Sequence, residues 1–430
     1  MPVQRCPRLR GFAALSALLA LFLPGAKAAE NQLSIAAAGA VRDGVTLNTV
    51  VIQKAIDRLA AAGGGTLVVP PGVFLSGAIF LKPGVNLRLD KGAVLQGSTN
   101  ILDYPEMQTR IEGHFQVWNA ALVNGSNVDH LRISGDGMIQ GGGPPFWAKF
   151  WKARASNTNV TNLAVKRPRN IFISDSKDVR ISGISLRQSG FWNLHLFRCQ
   201  DVVVENVDIR APVRSPSTDG IDVDSCQNVA IHGCYISVDD DNICLKGNKG
   251  TSALEDKTIP PDQHIRVSDC SFGLGNSALT LGSEATLVRD VVIENCKLTG
   301  TNKNCVLKLK LRPDTEQHYE DITARNITVD NPASQLITVP RATKLLYWQG
   351  RPAPSQLVTN VTLENITGAL RDFGKVDGPE KSTVANLTFK NINITLQNPA
   401  VVTKNVQNLQ FIGVNINGAP YTGDPATPGN

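Results

Sequence analysis

A repeat constrains this chain more than any other feature. A polar residue followed by apolar, any, apolar, any, any, apolar recurs at Asp178, Asp201, Asn228, His264, Asp290, Asp321, Asn360, Asn386 and Asn408, with a looser copy at His130. From Asp178 the spacings are 23, 27, 36, 26, 31, 39, 26 and 22 residues. The shortest set a unit of about 22 residues, and the longer ones carry loops. Apolar residues alternate at period two in short runs rich in Val, Ile and Thr, punctuated by Gly, Asn and Asp, which predicts strands. Units this short cannot each bury a core, so they must stack. Three strands of about four residues with their turns fill one unit, which predicts an all-β right-handed parallel β-helix. Propeller blades need about 40 residues, and a sandwich carries no such repeat.

The N-terminal part follows another rhythm. Val51, Ile52, Ala55, Ile56 and Leu59 recur at helical spacing between Asn48 and Ala62, and Gly63-Gly64-Gly65 stops the pattern. A short helix here would cap the open end of the solenoid, whose bare edges would otherwise template aggregation. Residues 66–80 read as strand, Pro-Gly turn, strand. The expected organisation is a signal peptide over 1–28, a cap with first coils over 29–126, the β-helix catalytic region over 127–418 in the same continuous domain, and a flexible tail over 419–430.

The signal peptide rests on Arg5, Arg8 and Arg10, an apolar run from Phe12 to Leu23, and the small-x-small site Ala26-Lys27-Ala28. The run is too short for a membrane span. Its removal would take four basic residues and no acidic one, lowering the net charge from +6 to +2. That balance gives no argument for nucleic acid. The expectation is a secreted or periplasmic monomer, free of the membrane once processed.

Seven of the 8 cysteines lie beyond the signal segment, with no C-x-x-C spacing. Cys234, Cys270 and Cys296 share one position of successive units, and Cys199 and Cys226 another. Stacked strands about 4.8 Å apart make these columns of interior thiols, and a Cys199–Cys226 disulfide is sterically open. The Asn-x-Thr sequons at Asn326, Asn360, Asn365, Asn386 and Asn393 coincide with repeat turns and read as turn chemistry.

Acid concentrates in Ser217-Thr218-Asp219-Gly220-Ile221-Asp222-Val223-Asp224 and, one unit later, in Asp239-Asp240-Asp241-Asn242-Ile243-Cys244-Leu245-Lys246. Ile221 aligns with Ile243, Leu279 and Leu307, and Val223 with Leu245, Leu281 and Leu309. Thr218, Asp240, Asn276 and Asn304 then share a column. Asp219, Asp241, Ser277 and Cys305 share the next. Asp224, Lys246, Gly282 and Lys310 form an outward column, with Lys308 and Arg312 on the face of Lys310. Carboxylates this close push at least one pKa up, the split that acid/base glycoside hydrolysis needs. Asp241 has the parity of inward Ile243, so a turn must bring it to the surface. Two other readings stay open on the residues alone: acids serving turns and solubility, and a calcium site.

These segments, with Gly282-Ser283-Glu284, Lys308-Leu309-Lys310, the run Gly135-Asp136-Gly137 and Arg167-Pro168-Arg169, resemble glycoside hydrolase family 28, the polygalacturonase and rhamnogalacturonase family. The resemblance covers almost the whole processed chain. It implies a right-handed β-helix, a pectic polysaccharide substrate, inversion at the anomeric carbon, and no cofactor or metal. It assigns Asp240 as the general acid and Asp219 with Asp241 as the pair that activates water, with carboxyls 6.5–9.5 Å apart in the general inverting case. It places the cationic motif on Lys308 and Lys310. Ser217 and Asp239 depart from the family's Asn and Gly. The family's His falls on Asn276 or Ser277, neither of which titrates, which leaves galacturonan and rhamnogalacturonan both open.

Around the cleft, Asn276, Ser277, Arg312 and Trp192 are candidate substrate contacts, and Glu284 lies near them. Trp147 and Trp151 are further candidate sugar platforms. His195 and His232 read as satisfied surface or turn residues. The excursions near 248–262, 312–320 and 340–358 would shape the ends of the groove. A calcium-dependent lyase and a non-catalytic carbohydrate-binding solenoid are the alternatives from other classes.

Overall fold

The computed structural model describes Met1 and residues 31–339, 354–378 and 382–423. The expected signal segment beyond Met1, the excursion at 340–353 and the tail beyond Tyr421-Thr422-Gly423 lie outside the described residues. No helix among the described residues is long and apolar enough to cross a membrane.

Residues from Asn31 onward build a right-handed parallel β-helix. Strands from successive coils stack in parallel ladders. One ladder runs Val123–Ser126, Ile171–Ser174, Leu194–Phe197, Ile221–Asp224, Ile243–Lys246, Leu279–Leu281, Asn304–Leu309 and Ser334–Val339. Its register sets Leu194, Ile221, Ile243, Leu279 and Leu307 in one interior column and Leu196, Val223, Leu245, Leu281 and Leu309 in the next, all fully buried. This is the alignment that the repeat predicts.

The polar residue opening each repeat has a physical reason. Asp178, Asp201, Asn228, His264, Asp290, Asp321, Asn360, Asn386 and Asn408 all take the left-handed conformation, with φ between 49° and 58°. Asn and Asp tolerate it because their short polar side chains bond locally. Asn326, Asn360, Asn365 and Asn386 are turn residues of this kind, as expected; Asn393 sits within the strand Thr383–Asn398.

The seven described cysteines are buried and free. The Cys199–Cys226 disulfide does not form: the Cys199 amide donates to Cys226 Sγ at 3.3 Å.

The capping helix α1 spans Thr49–Ala61, with Ile52, Ala55, Ile56 and Leu59 buried. The triglycine that ends it lets the chain turn hard against the next strand; a Cβ on Gly64 would lie 2.6 Å from the Gly84 carbonyl. Residues 419–421 are not a loose tail. Ala419–Pro420 pairs with Asn415–Ile416, and the Tyr421 ring packs edge-on against Phe411 at 4.9 Å.

Among the described residues, two insertions with their own secondary structure escape the repeat. One is an antiparallel hairpin of Glu106–Ile111 and His114–Asn119. Its two-residue turn has φ of 44° at Glu112 and 80° at Gly113, the geometry of a tight hairpin turn. The other is a second helix, α2, over Pro144–Ser156, which opens on Pro as helices favour. It buries Phe146, Trp147 and Phe150. Trp147 is therefore a core residue whose indole N–H donates to the Ser189 carbonyl at 3.0 Å. Trp151 is likewise bonded, to the Arg214 carbonyl at 2.8 Å. Neither lines the acidic cavity, so neither is a sugar platform there.

Candidate active site

The two acid-rich segments meet where one coil stacks on the next. The Gly220 amide donates to the Asp241 carbonyl at 3.0 Å, and the Asn276 amide to the Asp240 carbonyl at 2.8 Å. A Cβ on Gly220 would lie 2.4 Å from the Asn242 carbonyl, so only glycine lets these turns stack. Asp239, Asp240 and Asp241 precede the strand Ile243–Lys246, and this turn frees Asp241 from the inward parity of Ile243.

Asp219, Asp240 and Asp241 each place a carboxylate oxygen within 4.8 Å of the other two. That is shorter than the 6.5–9.5 Å that inversion commonly uses between carboxyl groups. Lys310 Nζ donates to Asp241 Oδ2 at 2.6 Å. Asn276 Nδ2 donates to Asp240 Oδ1 at 2.7 Å. Asn276 is therefore the residue beside Asp240, whereas Ser277 is fully buried and its hydroxyl bonds Thr280.

These environments drive the carboxyls apart. Burial, then the neighbouring Asp241, push Asp240 up. Burial opposes ionisation of Asp241 too, but Lys310 and Lys308 outweigh it and its pKa falls. Burial pushes Asp219 well up, with Lys246 pulling the other way. Lys246 and Lys310 give Asp219 and Asp241 cationic partners.

A cavity of about 350 Å³ opens over the trio, at the small end for ligand pockets. Trp192, Lys310 and Arg312 line it; Lys308 is half-buried beside Thr280 and Thr338 and does not. Arg312 is held by Asp314 at 2.8 Å through both Nε and Nη2. Trp192 is only 2% exposed. Its ring packs on Phe191, centroids 4.9 Å apart, in a buried cluster with Ile111 and Trp118, so it forms a wall and not an open platform.

That wall is built by the insertions. The Trp118 indole donates to the Arg167 carbonyl at 2.9 Å, and the Arg167 guanidinium lies 4.6 Å and 4.8 Å from the Phe150 and Phe191 ring centroids. At the hairpin tip Glu112 pairs with Lys249 at 3.2 Å. A Cβ on Gly113 would lie 3.0 Å from Lys249 and 3.1 Å from Glu284. Glu112 of the hairpin and residues 158–162 thus line the cavity.

His195 is not a surface or turn residue. It is fully buried, with Nδ1 2.7 Å from Arg169 and Nε2 3.3 Å from Asp224. Arginine only donates, so Nδ1 accepts and Nε2 carries the proton. Burial, with Arg169 alongside, pushes its pKa down to about 4 despite Asp224. It is a neutral structural histidine. His232 keeps its surface role, 3.3 Å from Glu205.

Sequence reasoning passed over two site residues. Lys246 lines the cavity almost wholly buried beside Glu284, and Asp222 is buried against Lys246. Their outward parity was readable. Their burial was not, because the insertions that cover them lie outside the repeat.

The model of the family described as "Glycosyl hydrolases family 28" matches residues 62–415. A probable polygalacturonase of Vitis vinifera is 30% identical over 310 residues, 70% of this chain and 61% of that protein. The chain thus spans about three fifths of that relative's length. An exo-poly-alpha-D-galacturonosidase of Dickeya chrysanthemi is 25% identical, covering 92% of this chain and 73% of its own. Among solved structures, a hyperthermoactive exopolygalacturonase of Thermotoga maritima superposes with a TM-score of 0.74 at 22% identity, over 91% of this chain and 93% of its own. A polygalacturonase of Erwinia carotovora gives 0.67 at 22% identity, over 87% and 95%. These structures share the β-helix fold.

Proposed function

The chain belongs to glycosyl hydrolase family 28, and from that premise we propose that it hydrolyses glycosidic bonds of a pectic galacturonan. The observation that carries the reading is the carboxyl trio with its pKa values driven apart: Asp240 up and Asp241 down, their oxygens within 4.8 Å. A neutral carboxylic acid beside an ionised carboxylate is the pairing that general acid/base hydrolysis uses.

In this mechanism Asp240 gives its proton to the leaving glycosidic oxygen. Asp241 and Asp219 hold the attacking water and take its proton. Two hydrogen bonds of about 2.8 Å meeting at one water span about 4.6 Å between acceptors, which falls inside the 4.8 Å limit on the trio's oxygens. One water bridging two carboxylates supports single displacement with inversion. Lys310 and Arg312, which line the cavity, are the cations offered to the sugar carboxylate. Asn276, at the acid, supplies a hydrogen bond where a titrating histidine would supply charge.

Glu112 and residues 158–162, which lie outside the β-helix ladders, line the cavity; we read them as a block at one end of the groove, which favours attack at a chain end. The enzyme is proposed to act as a secreted or periplasmic monomer.

The test incubates the protein with polygalacturonate in excess chelator, and separately with rhamnogalacturonan. Expected are new reducing ends on polygalacturonate, short products from the start, a slow fall in viscosity, and an inverted anomer by proton NMR. Activity only on rhamnogalacturonan would move the substrate. An ultraviolet-absorbing unsaturated product, or no turnover on either polymer, would overturn the hydrolase reading.

A further inference from the structure

Lys246 takes no part in the mechanism above, although it sits at its centre. It ends the strand Ile243–Lys246, and the next coil brings Gly282 alongside. A side chain at 282 would crowd this space: a Cβ there would lie 2.9 Å from Cys244 Sγ and 3.7 Å from Glu284 Cδ. The Lys246 side chain is 4% exposed. Its Nζ lies 3.2 Å from Asp219 Oδ2, 3.2 Å from Asp222 Oδ1 and 2.9 Å from Glu284 Oε1. An ammonium has three protons to give, and three carboxyls face it here. Nζ also lies 4.3 Å from the Trp192 ring centroid, which fixes it further by cation–π attraction. Glu284 is itself held, its Oε2 accepting from Ser283 Oγ at 2.7 Å.

We propose that Lys246, anchored by Glu284 and Trp192, is a positioning residue that aims Asp219 at the attacking water and favours the ionised form of that carboxyl against the opposing effect of burial. The proposal rests on the hydrolase reading above. The groups facing Asp219 are the Asp240, Asp241 and Asp222 carboxyls, the Cys244 thiol, the Arg167 guanidinium and Lys246 itself. Arg167 spends its hydrogen bonds on backbone carbonyls and Ser217. Lys246 is the cation that reaches the Asp219 carboxylate. A buried carboxyl ringed by other acids keeps its proton unless such a cation is present. A proton on Asp222 then leaves the ammonium to Asp219 and Glu284. The acid limb of activity is set by Asp219, and Lys246 decides where that limb lies.

The experiment measures kcat and KM on polygalacturonate across pH for the parent, Lys246→Met, Lys246→Arg and Glu284→Gln, with circular dichroism to confirm folding. Removing an opposite charge at this distance moves a carboxyl pKa by about one to three units. Lys246→Met is therefore expected to shift the acid limb of kcat upward by that amount and to lower kcat at the parent optimum about 10²-fold. Lys246→Arg should restore most of the limb, and Glu284→Gln, which leaves the ammonium to Asp219, should give a smaller shift in the opposite direction. Should Lys246→Met not fold, Glu284→Gln carries the test. Superimposable normalised profiles would overturn the proposal while leaving the hydrolase reading intact, as would a rise in KM with the limb unmoved, which would make Lys246 a substrate contact. An inactive parent would overturn the hydrolase reading and this proposal with it.

Discussion

Polar side chains stack from coil to coil in two places, with opposite consequences. At the exposed repeat turn, Asn408 donates to Asn386 at 2.7 Å and Asn386 to Asn360 at 3.3 Å. Asp178 in the same column sits under Arg132 and His130, which hold its pKa below the usual value. At the cleft, Asp219 and Asp241 stack under the hairpin and residues 158–162, where burial raises Asp219 and only nearby lysines hold Asp241 down. The repeat geometry is the same in both. Water makes the difference: a stacked acid in solvent is a turn residue, and a stacked acid under a covering insertion becomes a titrating group.

The comparison breaks hardest at the acid. Asp240→Asn keeps the Asn276 contact and the fold but has no proton to give, so kcat should fall by about 10²–10⁴ with circular dichroism unchanged. Near-normal turnover would show that the acid lies elsewhere.

Next in size is Lys310. Its 2.6 Å contact with Asp241 is a charge-assisted hydrogen bond, the kind worth about 1.5–3 kcal/mol. Lys310→Met should cost roughly 10–10² in kcat/KM. Loss confined to KM would make Lys310 a substrate contact alone.

The two columns differ equally in what the sequence disclosed. The turn column was readable in full, because an αL turn followed by strand alternation dictates residue type at every copy. The trio Asp219, Asp240 and Asp241 was readable because columns follow from register. Lys246, Asp222 and the fate of Trp192 were not, since each depends on the hairpin and α2. Those segments have no repeat to announce them, and Glu112-Gly113 is a weak hairpin signal beside Asn-Gly. His195 was misjudged for a related reason. Its strand position alone suggested surface, yet Phe172 and Trp192 pack on its ring and the hairpin's Arg110 reaches Asp224 beside it.

A smaller effect sharpens the buried side. Burial raises Asp222 to about 7 from an ordinary 3.8. As pH rises from about 4 to about 7, the unfolded chain has lost this proton and the folded chain keeps it. The folded state then binds more protons, so this group's contribution to stability falls over that window. Asp222→Asn removes the titration, and its melting temperature should decline less than the parent's between those two pH values. An identical decline would place the proton elsewhere in the cluster.

The exposed column should yield the smallest effect, and on stability alone. Asn386 has φ of 55° and bonds both neighbours in its ladder. Asn386→Ala puts a Cβ residue with no compensating amide into the left-handed region, a cost of about 1–2 kcal/mol. Asn386→Gly removes the amide without that strain, so the difference between the two separates conformation from ladder. For domains of 150–250 residues 1 kcal/mol moves the melting temperature by about 2–4 °C, and this longer solenoid should move less. Alanine is expected to lower the melting temperature slightly and glycine less, with kcat unchanged in both. Equal losses would mean that the amide ladder, and not the turn, holds this edge of the solenoid. A loss of activity would mean that the two columns are not independent.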